Sequence, residues 1–302
     1  MNIPIPQIRV GEPVRCGALA VIPLFTERQT LFPDDTLDYL VADEAMAAGT
    51  CTVTETGKVS ELTVENTGKR SVLFLEGEEV IGGRQNRALG VSVAVGAGSR
   101  VTVPVYCVER KRWGGASSSL TTGSHCPPSL RHILKGGGAG MGISRGLGGQ
   151  AAVWRLIEAK HRATATISEH QNMSDTLRSH PEVVKELRQS LKYTEGASGI
   201  AVAMNGKFVG IDLFDKPETL EKVWDRLVVL GLTLDAMDLQ DTEARDYDIS
   251  VRLYRLKGVA WRPVPTVGLG ESYRARGGDD GMLATALVVD DALLHLSMSM
   301  PA

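Results

Sequence analysis

Aromatic residues are scarce in this 302-residue chain, at 5%. So few rings leave little material for the stacking platforms on which single-stranded nucleic-acid binders lay their bases. An excess of one charge is missing too. With 33 Lys and Arg against 36 Asp and Glu, no global basic field gathers nucleic acid or an anionic membrane, and neither is expected as a partner. No stretch approaches the roughly 18 apolar residues that a membrane span needs. The opening Met1-Asn2-Ile3-Pro4-Ile5-Pro6 is no basic leader, so the expectation is a soluble, cytoplasmic protein. Cys16, Cys51, Cys107 and Cys126 form no CxxC pair, which suits free thiols in a reducing compartment better than a disulfide framework or a structural zinc. His161, His170 and His180 lie near one another but at no metal-binding spacing, so no metal site is expected. What is present is apolar: 43% hydrophobic residues can fill the core of one large or two ordinary domains.

The first part, residues 15–112, reads as strands separated by Gly, Asn and Pro: Ala18–Ile22, Cys51–Thr54, Leu62–Val64 and Val72–Leu75, with one short helix over Asp43–Ala48. Val91–Val95 and Val101–Val105 alternate with period two around Gly96-Ala97-Gly98-Ser99 and predict a hairpin, with an edge or bulge at Pro104. Residues 113–149 are rich in Gly, Ser and Pro and read as a long mobile loop, either a linker or a lid. From 150 onward helices and strands mix. Helices are expected over Gln150–His161, after a Ser179-x-x-Glu182 cap, between an Asp215/Glu218 cap and Gly231, and over Ala244–Lys257. Leu220, Val223, Trp224 and Leu227 form the apolar face of the third of these, which makes Trp224 core. Asn205-Gly206 predicts a two-residue hairpin turn and Asp290-Asp291 another. The order of elements is poor material for βαβ crossovers, so the expected class is α+β, dominated by antiparallel pairing.

The densest polar chemistry follows Leu75. Glu76-Gly77-Glu78-Glu79-Val80-Ile81-Gly82-Gly83-Arg84-Gln85-Asn86-Arg87 gathers three carboxylates, two guanidiniums and two side-chain amides. Arg84 and Arg87 can fork onto phosphate oxygens, and Gln85 or Asn86 can read a base or ribose hydroxyl. Strict alternation would send Arg84 and Asn86 one way and Gln85 and Arg87 the other, unless Gly82-Gly83 opens an irregular turn. Glu76, Glu78 and Glu79 offer a general acid or base, Glu78 foremost, or a cation site. The same residues read equally as surface ion pairs at a hairpin end. Cys107, followed by Glu109, Arg110, Lys111 and Arg112, is either a thiolate nucleophile in a cationic setting or a small core residue. Trp113 either stacks on a base or anchors the loop. His295 is expected to share a strand face with Leu293, as a satisfied core histidine or a proton shuttle.

Beyond these single features, a set of motifs resembles one family: Ile22-Pro23-Leu24, Asp43-Glu44-Ala45, Gly77-Glu78-Glu79 with Gly82–Arg87, Val103-Pro104-Val105 with Cys107-Val108-Glu109 and Arg112-Trp113. Gln150–Trp154, Gly268-Leu269-Gly270-Glu271 and His295-Leu296 extend it. The chain is similar to the domain named for its association with ADP-ribosylglycohydrolases and the rhodanese-phosphatase superfamily. That resemblance implies one domain over about residues 15–299 that binds, with or without processing, an ADP-ribose-type or other NAD-derived nucleotide. It implies no particular reaction or cofactor. Candidate catalytic residues are then Glu76, Glu78, Cys107 and Glu109, and candidate ligand contacts Arg84, Gln85, Asn86, Arg87 and Trp113. The other expectation is a non-catalytic partner that docks onto an ADP-ribosylglycohydrolase-type enzyme.

Overall fold

The computed structural model describes residues 3–27, 37–112, 114, 120–136, 147–239 and 249–301. Trp113 and the glycine-rich stretch from 137 to 146 lie outside the described residues. The fold is α+β, with strands in three sheets and all but one pairing antiparallel.

The largest sheet has nine strands and draws on both ends of the chain. Its order is Gln7–Val10, Leu19–Glu27, Gly199–Met204, Lys207–Phe214, Ala292–Ser299, Leu283–Val289, Glu271–Arg276 and Arg262–Val264, with Val14–Cys16 also paired to Leu19–Glu27. The six-stranded sheet runs Thr121–His125, Glu78–Ile81, Arg87–Leu89, Arg100–Cys107, Glu61–Asn66, Cys51–Glu55. A three-stranded sheet is made by Val93–Val95, Ser71–Phe74 and Tyr39–Val41, the last two parallel. One face of the large sheet packs Val202, Phe214 and Leu287 against Val184, Leu220, Trp224 and Val228 of the helices. Its opposite face packs Ile211, Leu213 and Leu296 against Leu253 and Leu256.

The turn signals behave as their chemistry dictates. Asn205 and Gly206 take φ of 45° and 74°, joining Gly199–Met204 to Lys207–Phe214, and Asp290 and Asp291 take 50° and 60° in the last hairpin. Trp224 is buried, with its indole N–H donating to the Leu191 carbonyl.

Elsewhere long-range packing overrides the local pattern. Val93–Val95 and Arg100–Cys107 are strands, but they do not pair with each other: the first joins Ser71–Phe74 and the second joins Glu61–Asn66 and Arg87–Leu89. The Asn66 amide donates to the carbonyls of Val95 and Gly96 and so turns the chain from one sheet to the next. Pro104 sits where Arg100–Cys107 changes partner, a position where no ladder N–H is required of it. The expected loop over 113–149 contains the strand Thr121–His125 and the helix Pro128–Gly136. Thr, Gly, Ser and His give that strand no apolar alternation, so only pairing to Glu78–Ile81 reveals it. The two caps also differ. His180 and Lys216 hold the N-cap positions without side-chain caps, and Asp215 bonds the Tyr39 hydroxyl instead.

Gly231 does not end its helix. Pro217–Trp224 continues through a π-helical stretch, Asp225–Leu230, into Gly231–Ala236. A Cβ on Gly231 would lie 3.3 Å from His125 Cβ, so this glycine answers packing, not termination.

Candidate functional site

The polar stretch after Leu75 is drawn inward, and its side chains divide among separate partners. Gly82 and Gly83 take φ of 116° and 56°, opening the irregular turn that breaks strand alternation. Asn86 anchors that turn: its Oδ1 accepts from the Gly82 N–H at 3.1 Å and from Arg112 at 3.1 Å, and its own N–H donates to Glu109 at 2.9 Å. Arg112 reaches both Glu109 carboxylate oxygens at 2.8 Å and the Gly83 carbonyl at 2.7 Å. Glu79 accepts from the Ser124 N–H and hydroxyl and from the Ser174 hydroxyl. Arg87, 1% exposed, donates to the carbonyls of Val59 and Gln85 and pairs with Glu55 at 3.3 Å. Buried Gln85 donates to the Arg110 carbonyl, while its Oε1 has no partner among the described residues. Arg84 is exposed. Glu78 stands apart, bonded to the Leu75 N–H and paired with Arg226, which also holds Asp43 at 2.9 Å.

Cys107 sits in this neighbourhood but not as a thiolate. It is fully buried, and burial pushes its thiol up despite Arg87 nearby. Its backbone exchanges two hydrogen bonds with the Gln150 amide, fixing the strand to the helix Leu147–Ala163.

A second polar node lies where the helix Pro128–Gly136 crosses the large sheet. Glu76, 0% exposed, pairs with Lys135 at 2.6 Å and Arg131 at 3.3 Å. Arg131 forks onto Asp212 at 2.8 and 2.6 Å and donates to the Ser297 hydroxyl at 2.6 Å. His295 Nε2 lies 3.2 Å from Asp212, and its Nδ1 lies 2.8 Å from Ser92 Oγ. The Ser92 hydroxyl in turn accepts the Glu76 N–H at 2.9 Å. Phe214 stacks on the imidazole, centroids 4.8 Å apart. Gly77, at φ 85°, lets Arg131 pass close to the chain: a Cβ there would sit 2.9 Å from Arg131 Cγ.

The charges here are balanced, two carboxylates against two cations, as buried charges must be. Burial opposes ionisation of Glu76, but Lys135 and Arg131 outweigh it and hold its pKa below the ordinary value. Burial likewise opposes Asp212, and Arg131 and His295 hold it far lower. Burial pushes the Lys135 ammonium down to about 8 even with Glu76 beside it. Burial, then the Arg131 charge, holds neighbouring His125 well below the ordinary histidine value.

Sequence reasoning reached Glu76 and His295 but missed Ser92, Arg131, Lys135 and Asp212. His295 and Leu293 do not share a face. Leu287 pairs with His295 and Val288 with Leu293, leaving Leu294 as a bulge that reverses the alternation. Beyond the bulge, His295, Ser297 and Ser299 alternate with Leu296 and Met298, a polar stripe that the sequence does display. Arg131 and Lys135, four residues apart, share one helix face and form its counterpart.

Two small cavities flank the node, each of about 20 Å³, roughly the room one water needs. Arg131, Lys135, Asp212, Cys126 and Ser299 line one; Ser92, His295, Arg274, Tyr273 and Thr285 line the other. Among the described residues, no group of three His, Cys, Asp or Glu is placed to hold a metal ion, and no helix is long and apolar enough to cross a membrane.

With this geometry in place, comparison with known families is decisive. The model of the ARG and Rhodanese-Phosphatase-superfamily-associated Protein domain, ARPP-1, matches residues 7–299. The chain belongs to the ARPP-1 family. Its name ties the family to ADP-ribosylglycohydrolases and to rhodanese-phosphatase-superfamily proteins. No curated protein and no solved structure matches the chain. The ARPP-1 match takes in both polar nodes, from Glu76 to His295.

Proposed function

We propose that this ARPP-1 domain binds an ADP-ribose-type or other NAD-derived nucleotide, with the diphosphate held at the Gly82–Gly83 turn. The observation that carries the reading is the exposed guanidinium of Arg84 on that turn, behind which Arg112 holds the turn in shape through Glu109, Asn86 and the Gly83 carbonyl. A planar guanidinium such as that of Arg84 can fork onto phosphate oxygens, and the half-buried Gly82 lets a ligand approach the backbone. Gln85, Asn86, Arg87 and Glu109 are positioning residues in this reading, since their hydrogen bonds hold the turn in shape.

The test is a thermal-shift panel of NAD, ADP-ribose, cyclic ADP-ribose and phosphorylated riboses. A ligand at a hundredfold over its Kd adds about 2.7 kcal/mol, worth several degrees of Tm in a chain of this size. The shift is expected to shrink in Arg84→Ala and Arg112→Ala. A flat panel at millimolar ligand counts against the reading.

The family's name favours a second reading, a non-catalytic domain that docks onto an ADP-ribosylglycohydrolase-type enzyme. A stable complex with such an enzyme, formed by a domain that gives no shift with any nucleotide, selects it.

A further inference from the structure

We propose that the cavity beside Tyr39 is a binding site for a small sugar phosphate, with the phosphate held by Arg70, Lys216 and Lys222 and a sugar hydroxyl by Glu218. At about 300 Å³ this cavity has the room that a small-molecule ligand needs, unlike the two beside the Glu76 network. Arg70, Glu218 and Lys222 are exposed, so it opens to solvent. It shares no lining residue with the Gly82–Gly83 turn.

Three cations reach the cavity from separate points of the chain. Arg70 directly precedes the strand Ser71–Phe74, Lys216 holds the N-cap position of the helix Pro217–Trp224, and Lys222 lies in that helix, four residues after Glu218 on the same face. Tyr39, Val41 and Thr219 complete the wall. Two of the cations are set against one residue. Arg70 donates to the Tyr39 carbonyl at 2.8 Å, and the Lys216 ammonium lies 3.8 Å from the centre of the Tyr39 ring. Tyr39 is itself held fast, 3% exposed with its hydroxyl bonded to Asp215 and Thr219.

Charge decides what the cavity takes. Arg70 pairs with Asp38 at 2.6 Å and Lys222 with Glu44 at 2.8 Å. Both pairs are solvated, with 71% of the Asp38 side chain and 40% of the Lys222 side chain exposed, so each contributes little and its cation can turn to a doubly charged group. Lys216 differs. Its ammonium has the Tyr39 ring and the Leu37 carbonyl, and among the described residues no carboxylate lies within ion-pair distance of it. A phosphate monoester brings nearly two negative charges and three acceptor oxygens, enough to engage one unneutralised ammonium and two loosely paired cations together. Glu218 opposes a bare anion, but its carboxylate accepts from a hydroxyl. The lining therefore favours a phosphate that carries a sugar over free phosphate.

The test uses ribose 5-phosphate and the full chain carrying Arg84→Ala, which makes it independent of nucleotide binding at the Gly82–Gly83 turn. Calorimetric titration is expected to show one site with Kd below about 1 mM, and binding of inorganic phosphate about tenfold weaker. Lys216→Met, of unchanged Tm, is expected to weaken ribose 5-phosphate by about tenfold, and Arg70→Met and Lys222→Met by several-fold each. The preference for ribose 5-phosphate over phosphate is expected to shrink in Glu218→Ala. Lysine acetylation mapped on the unsubstituted protein keeps the test decisive if a variant misfolds: ribose 5-phosphate should slow modification of Lys216 and Lys222 and leave Lys58, whose side chain is 69% exposed, unaffected. No binding at about 10 mM, equal binding of phosphate and ribose 5-phosphate, or binding unchanged in Lys216→Met overturns the proposal. Binding that survives Arg84→Ala alongside a flat nucleotide panel retains this site and removes the nucleotide reading.

Discussion

Two polar nodes grow from one stretch of chain and end in different states. Around Asn86 the hydrogen bonds gather about one turn: Glu109, Arg112, the Gly82 N–H and the Glu79 carboxylate all bond Asn86, and Ser174 joins through Glu79. Around Glu76 the network instead crosses from that sheet to a helix and then to the large sheet, and its last member, Ser92, borders a cavity. The first arrangement shapes a turn. The second joins separate parts of the fold through buried charges and ends at a half-buried hydroxyl on a cavity wall. A node gathered on one turn makes that turn rigid, whereas a network that crosses elements ties them to one another.

The largest effect that would break this comparison comes from the shared cation of the second node. Arg131→Met leaves Glu76 and Asp212 buried with only Lys135 and His295 to compensate, a change expected to cost about 3–5 kcal/mol. Arg112→Met removes a partly exposed partner from Glu109, which keeps the Asn86 N–H, and is expected to cost about 1–2 kcal/mol. Urea unfolding of the two variants checks the ranking. Equal losses would mean that the two nodes carry the fold alike.

Next in size is the acid response. Glu76 and Asp212 both titrate below their ordinary values in the folded protein. As pH falls the unfolded chain therefore takes up protons first. The stabilisation is nearly complete above about pH 5 and is lost progressively as pH drops through and below the unfolded values of about 3.9–4.3. Asp212→Asn is expected to flatten this acid limb by up to about 1.4 kcal/mol per pH unit, measured by denaturant unfolding between about pH 5 and 3. An unchanged slope would show that Asp212 is not held ionised by Arg131.

How much of this was legible beforehand differs between fold and site for one reason, the sequence distance over which each is decided. The Asn205-Gly206 and Asp290-Asp291 hairpins, the helix carrying Trp224 and the α+β class follow from turn chemistry and periodicity within short windows. The pairing of Val93–Val95 was not readable that way, because Gly96–Ser99 looks like a hairpin turn whether the strands pair or part. The Glu76 stretch announced itself by density of polar groups. Its partners did not: Arg131 and Lys135 lie in a segment whose composition reads as loop, and Asp212 stands alone in an apolar strand. The His295-Leu296-Ser297-Met298-Ser299 alternation was the one local signal that a polar face existed, and the bulge at Leu294 hid which face it was.

The smallest expected effect is a difference between two buried thiols, one in each node. Cys107, in register with Arg87, belongs to the six-stranded sheet, while Cys126 lines the cavity with Arg131 and Lys135. Burial pushes both thiols up, Cys126 further, and each has 1% exposure or less, so neither is expected to react with iodoacetamide in the native protein. Glu76→Gln weakens the hold on Lys135 and Arg131 without touching the hydrogen bonds between Cys107 and Gln150. Alkylation of Cys126 is therefore expected to accelerate in that variant while Cys107 stays protected, because local opening needs only the wall of one cavity to loosen. Peptide mapping after timed alkylation reads both rates in a single experiment. Parallel acceleration of the two would show that the nodes open as one unit, and the distinction between a node gathered on one turn and a network bordering a cavity would then have no basis in local stability.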